Sequence, residues 1–301
     1  MTKPIVVVSS CLNFENVRYN GQVVPSKIVA DLEKFVIYKK VCPETGIGLG
    51  VPREPIRIVK VGKELRLIQH VTNRDVTDEM NAFTRTFLDE LGEVDGFIFK
   101  SRSPTMGLKG IKVYSDIKKG APVVERCSGF FAGAVAERYA GFPLEDEGRL
   151  INKKIREHFL TRIFLFAAYR EAKKENRLGA FHQRNTMLFR FYNPEMTEKL
   201  VPEAKDYIEI MRETVKTPPN SEQIFAFFKN HENAVANKEK YRSLLERYRI
   251  NKVSLDTIKE ALGLLITDEK ALESSFFNPF PPEMEYELDE DRDKDYWSTV
   301  D

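Results

Sequence analysis

Three cysteines, at positions 11, 42 and 127, are the first residues of this sequence that could do chemistry. Thiolates in loops are the usual protein ligands of zinc and of iron-sulfur clusters. The spacing alone favours neither, because no CxxC or CxxxC pair is present. Cysteine is also among the most often buried residues, so a structural role stays open for each. Cys11 and Cys42 nevertheless follow short apolar runs, where strands are expected to end in loops.

Glu44 and two serines occupy similar positions. Glu44 stands two residues after Cys42, and Ser101 and Ser103 follow a third apolar run at 96–99. A carboxylate can take up or give a proton, and hydroxyl groups can orient a substrate. Glu44 has simpler roles too, since it can cap a helix or pair with a nearby arginine.

Arg18 follows Cys11 in the chain, and Arg53 follows Glu44. A guanidinium group can hold a carboxylate or phosphate through two hydrogen bonds, although a structural ion pair is equally compatible with the sequence. The histidines give little support for a metal site, because they are scattered and form no HExxH or HxxE arrangement: His70, His158, His182 and His231.

Alternating strands and helices must position these residues. The apolar runs predict strands, and helical spacing predicts helices over 26–35 and 77–91, with a hairpin at 56–71. This alternation is typical of an α/β domain with a mostly parallel sheet and helices on both faces. Because ligands bind at the carboxyl ends of such strands, we expect Cys11, Cys42, Glu44 and Ser103 to converge on one crevice.

The second half of the sequence has helical periodicity only. We predict an α/β domain over 1–143, an all-helical domain over 144–282 with a polar hinge at its start, and an acidic tail over 283–301. The tail has a net charge of −7 and the rest of the chain a net charge of about +8.

The composition excludes a chain that is too polar to fold. Hydrophobic residues at 42% and charged residues at 31% fit an ordinary globular protein. Lys and Arg number 47 against 46 Asp and Glu, which gives no strong signal for nucleic acid. Neither a signal peptide nor a membrane span is evident, so the protein is expected in the cytoplasm, while the oligomeric state stays open.

Three blocks of sequence resemble the signature loops of the iron-sulfur thiouracil desulfidase family. They are SCL with VRYNG (10–12, 17–21), CPE with GLGVPR (42–44, 48–53), and KSRSP with a following glycine (100–104, 107). The resemblance covers residues 1 to about 140, and the second half resembles a helical domain of unclear function that is often fused to this family.

The resemblance implies a 4Fe-4S cluster held by three cysteines, whose open iron takes the sulfur of a thiolated pyrimidine or nucleoside. Water would then replace the sulfur, which leaves as sulfide. Cys11 and Cys42 match two ligands, Glu44 matches the acid/base residue and Ser103 the serine that orients substrate. Arg18, Arg53 and Ser101 lie in the same loops and are candidate substrate contacts.

Met106 stands where the family has its third ligand cysteine. A thioether cannot become a thiolate, so three outcomes follow. Cys127 can substitute as the third ligand, the cluster can be labile on two thiolates plus Met106, or cluster and activity can both be absent. The last outcome gives the alternative function, a binding or interaction protein without a cluster on the same fold.

Overall fold

The computed structural model describes residues 2–284, so the predicted acidic tail lies outside the described residues from position 285 onward. Internal contacts divide the chain into two compact units, the first extending to Ala167 and the second from Ala168 to Pro282. No helix within residues 2–284 is long and apolar enough to cross a membrane. The cytoplasmic location stays a prediction.

Short strands form two sheets in the first unit. The first sheet has the order β2-β1-β5-β8, and each neighbouring pair in it is parallel. The second has the order β4-β3-β6-β7 and is mixed, with the predicted hairpin as its antiparallel pair β3–β4. The strands are β1 (Ile5–Ser9), β2 (Ile37–Val41), β3 (Ile56–Val61), β4 (Glu64–Gln69), β5 (Gly96–Phe99), β6 (Ile111–Tyr114), β7 (Val123–Cys127) and β8 (Leu144–Asp146).

The centre of the parallel sheet is buried on both faces. Val6, Val7 and Val8 are almost fully inaccessible although successive side chains point to opposite faces, and the same holds along β5. One face packs in an apolar cluster with α3 and α4. The helices of this unit are α1 (Lys27–Leu32), α2 (Pro43–Gly46), α3 (Thr77–Glu90) and α4 (Phe130–Arg138), followed by a 3-10 turn (Arg149–Ile151) and the start of α5 (Lys153–Lys174).

The segment predicted as a polar hinge, 143–148, is in part a strand. β8 pairs with β5 in register, with Phe97 opposite Leu144 and Phe99 opposite Asp146. The acidic sequence concealed this strand, because its carboxylates find partners nearby, such as Arg149 for Glu145. The predicted domain boundary at 143/144 therefore precedes a strand of the first unit, whose contacts continue to Ala167.

The second unit contains helices throughout, as expected. A turn region that contains Pro202 precedes the helix Tyr207–Thr214. Its elements after α5 are α6 (Leu178–Tyr192), α7 (Pro194–Thr197), α8 (Tyr207–Thr214), α9 (Ser221–Asn230), a 3-10 turn (Glu232–Ala234), α10 (Lys238–Arg249), α11 (Leu255–Leu265) and α12 (Glu269–Leu272).

The start of α4 fixes the loop that follows β5. The first amide groups of a helix lack partners within the helix. Here the amide of Gly129 donates to the carbonyl of Gly107 at 2.7 Å, and that of Ala132 donates to the carbonyl of Thr105 at 3.0 Å. This close approach of the start of α4 to the loop after β5 requires glycine at position 129, because a Cβ there would lie 2.6 Å from the carbonyl of Thr105.

We therefore expect Gly129→Ala to lower the free energy of unfolding by about 1–3 kcal/mol, since backbone must move to admit the methyl group. Gly133→Ala in the same helix is the matched control, because its Cβ would meet only Ser128 at 3.5 Å. It should be neutral or stabilising by up to about 1 kcal/mol. Urea unfolding measures both, and equal effects would contradict the close approach.

Candidate functional site

Three loops at the carboxyl edge of the parallel sheet surround one cavity of about 370 Å³. They follow β1, β2 and β5, which are neighbours in the sheet. Eight of the nine residues singled out in the sequence line it: Cys11, Arg18, Cys42, Glu44, Arg53, Ser101, Ser103 and Met106. The ninth, Cys127, does not.

The thiols of Cys11 and Cys42 come from adjacent strands. Ser9 lies opposite Val41 in the register, and the amide of Ser10 donates to the carbonyl of Val41 at 2.9 Å. Burial, with a further contribution from Cys42, raises the pKa of Cys11 to about 11. Cys42 Sγ lies 3.9 Å from the carbonyl of Val17. Both thiols are therefore held at the same edge of the sheet.

Glu44 is fixed by three donors. Arg53 donates from Nε at 2.9 Å and from Nη2 at 2.5 Å to Oε2, and the Thr105 hydroxyl donates to Oε1 at 3.0 Å. The Arg53 and Glu44 side chains are 5% and 14% exposed, so this is a largely buried pair. Arg53 thus reaches the cavity as the partner of Glu44, one of the two roles that the sequence left open for it.

Ser103 connects to Glu44 through Thr105. Ser103 Oγ lies 3.0 Å from Thr105 Oγ1 and accepts from the amide of Met106 at 3.0 Å. Because the single Thr105 hydroxyl proton is given to Glu44, Ser103 must be the donor to Thr105. The result is a directed chain of hydroxyl groups from Ser103 to the carboxylate. Sequence reasoning missed Thr105, although it lies inside the third signature loop.

Glu147 does not line the cavity but binds Lys100 and Ser101, which do. Its Oε2 accepts from the amide of Ser101 at 2.7 Å and its Oε1 from the Ser101 hydroxyl at 2.9 Å. Lys100 Nζ also donates to Glu147 Oε1. Sequence reasoning missed this residue as well, because its partners lie about fifty positions earlier and only the pairing of β8 with β5 brings them together.

Arg18 and Arg102 also line the cavity. Arg18 lies over the Tyr19 ring at 5.6 Å, and no carboxylate within residues 2–284 forms an ion pair with it. Arg102 is exposed and has a left-handed backbone with φ of 60°. Positive charge therefore borders the thiols.

Met106 and Cys127 occupy different surroundings. Met106 is 4% exposed, belongs to the apolar cluster that includes Val41 and Phe99, and also lines the cavity. Cys127 lies at the end of β7 opposite Ile111, in the apolar cluster of the second sheet. The structure thus places Met106 in the cavity that Cys11 and Cys42 line. Cys127 lies apart, because β7 pairs with β6 and not with the parallel sheet.

Residues 6–147 match the family described as 2-thiouracil desulfurase, which confirms the resemblance drawn from the signature loops. A solved structure, titled as the 4Fe-4S-dependent thiouracil desulfidase TudS, is similar at 24% identity. The alignment covers 49% of this chain and 93% of that one, with a TM-score of 0.38. No curated protein matches the chain.

The residues present do not fit a cluster held by three thiolates. Across residues 2–284, no group of three or more His, Cys, Asp or Glu side chains is placed to hold a metal ion. The cavity offers two thiols and one thioether, and clusters are held by thiolates.

Removing the charge of Glu147 tests its role in holding the wall. We expect Glu147→Gln to lower the free energy of unfolding by about 1–3 kcal/mol, because its amide group would face donors in a buried position. Glu125→Gln is the matched control, since Glu125 forms an exposed pair with Lys60 at 3.0 Å and should cost less than about 1 kcal/mol. Similar losses in urea unfolding would argue against the role.

Proposed function

We propose that the protein binds a thiolated nucleobase or nucleoside of the thiouracil type in this cavity and removes its sulfur by hydrolysis. The observation that carries the proposal is the convergence of two thiols, Cys11 and Cys42, and the Glu44 carboxylate on one cavity. The family match over residues 6–147 supports it. So does the volume of about 370 Å³, which lies at the small end of the range for small-molecule sites.

Glu44 is the group proposed to activate water. A carboxylate has about four acceptor positions, and three donors occupy those of Glu44, which leaves one for a water molecule. The water oxygen forms a C=O bond at the ring carbon as the C=S bond breaks, and the two protons of the water leave with the sulfur as hydrogen sulfide. The hydroxyl chain from Ser103 through Thr105 donates to Glu44 and holds its carboxylate in place along the cavity wall. Arg18 and Ser101 are the proposed substrate contacts, and Arg53 positions Glu44.

The resemblance also implies dependence on an iron-sulfur cluster. Cys11 and Cys42 supply two of its thiolates, but Met106 has the third position and Cys127 lies on β7. This observation favours a second candidate function, in which the protein binds the same thiolated compounds without a cluster.

Replacing Met106 with cysteine tests which candidate applies. After anaerobic reconstitution with iron and sulfide, we expect Met106→Cys to retain more of both than the wild type, because it restores a third thiolate. Cys127→Ser is the control and should match the wild type. Sulfide release from thiouracil by the wild type would establish desulfuration. Thiouracil binding measured by calorimetry, without sulfide release, would establish the second candidate.

Glu44→Gln tests the proposed base. The amide cannot accept a proton, so we expect sulfide release to fall at least about 100-fold while retained iron is unchanged. The control is Glu54→Gln, because Glu54 is exposed and does not line the cavity. Sulfide release that survives Glu44→Gln would remove this residue from the mechanism.

A further inference from the structure

We propose that Cys11, Cys42 and Met106 form a three-sulfur binding site for the soft monovalent cation Cu(I). The three side chains line one cavity, and each comes from the loop after a different strand of β1, β2 and β5. The inference concerns the metal ion that these residues bind. It does not rest on the proposed desulfuration.

The backbone keeps the three residues together. β1 and β2 stay hydrogen-bonded up to Ser10 and Val41, directly before the two cysteines. Neighbouring strands lie about 4.8 Å apart, which brings these loops within reach of one ion. Met106 belongs to the same apolar cluster as Val41, the residue before Cys42.

The donor set selects the ion. Thiolates and thioethers are soft ligands, and among common metal ions they favour Cu(I). Structural zinc takes four cysteine or histidine ligands, and no histidine or third cysteine within residues 2–284 lines this cavity. Glu44, the carboxylate in the cavity, is already bonded to Arg53 and Thr105. Three sulfur atoms without nitrogen or free oxygen ligands therefore suit Cu(I) better than zinc or iron.

The surrounding charge also suits this ion. Two thiolates and one Cu(I) leave a net charge of −1 in a partly buried place. Arg18 and Lys100 line the same cavity as the three sulfur residues. Their positive charges can offset the negative charge of the metal site.

Met106 is held in place before any ion binds. It is 4% exposed, and its amide donates to Ser103 Oγ at 3.0 Å within the loop that α4 fixes. A restrained ligand loses little entropy when it binds a metal ion. The thioether is thus a preorganised third donor beside two thiols.

The test is anaerobic titration of the reduced, full-length protein with Cu(I) buffered by bicinchoninate. We expect one Cu(I) per chain. Met106→Leu keeps the apolar volume but removes the sulfur, and it should weaken binding at least about tenfold, since even the loss of an outer partner of a metal ligand costs that much. Cys11→Ser and Cys42→Ser should weaken binding further. X-ray absorption should show three sulfur neighbours in the wild type and two in Met106→Leu.

Cys127→Ser is the matched control, because this cysteine lies on β7 and does not line the cavity. Its affinity for Cu(I) should equal that of the wild type. Unchanged affinity in Met106→Leu, or a loss in Cys127→Ser, would overturn the three-sulfur site. Thiouracil binding and sulfide release are measured separately, on copper-free protein. A negative result there contradicts the desulfidase proposal and leaves the copper proposal to the Cu(I) titration.

Discussion

The parallel pairing of β1 with both β2 and β5 is the constraint on which the candidate site depends. In parallel strands the carboxyl ends lie at one edge of the sheet, so the following loops must meet there. Val7 is opposite Lys39 on one side and Phe97 on the other. A change of register on either side would move a cysteine or the third signature loop away from the cavity.

Polar partners from distant parts of the chain then fix the loops. Glu44 depends on Arg53 and Thr105, and Ser101 depends on Glu147. Each carboxylate is mostly buried, so removing its partners would leave a charge without compensation. The same bonds that stabilise the loops therefore also orient the groups that face the cavity.

The sulfur atoms define what this cavity can bind. Two thiols remain in the positions that the signature loops predict, and the third position is a thioether packed against the core. Such a set is poor for a cluster that needs three thiolates and good for one soft ion. The copper proposal therefore depends on one side chain, because Met106 supplies the third sulfur as a thioether and not as a thiolate.

The sequence by itself determined the α/β class, the main buried strands, the helical second half and the family resemblance of the first half. These features follow from the local periodicity of apolar residues and from short blocks of neighbouring residues, which can be read directly from the sequence. It did not determine that Arg53 pairs with Glu44, that 144–146 is a strand, or that Cys127 lies apart from the cavity. Those facts depend on which strands pair and on which distant partner satisfies a buried charge. Only the tertiary structure decides them, because strand order and long-range ion pairs leave no periodic signal in the sequence.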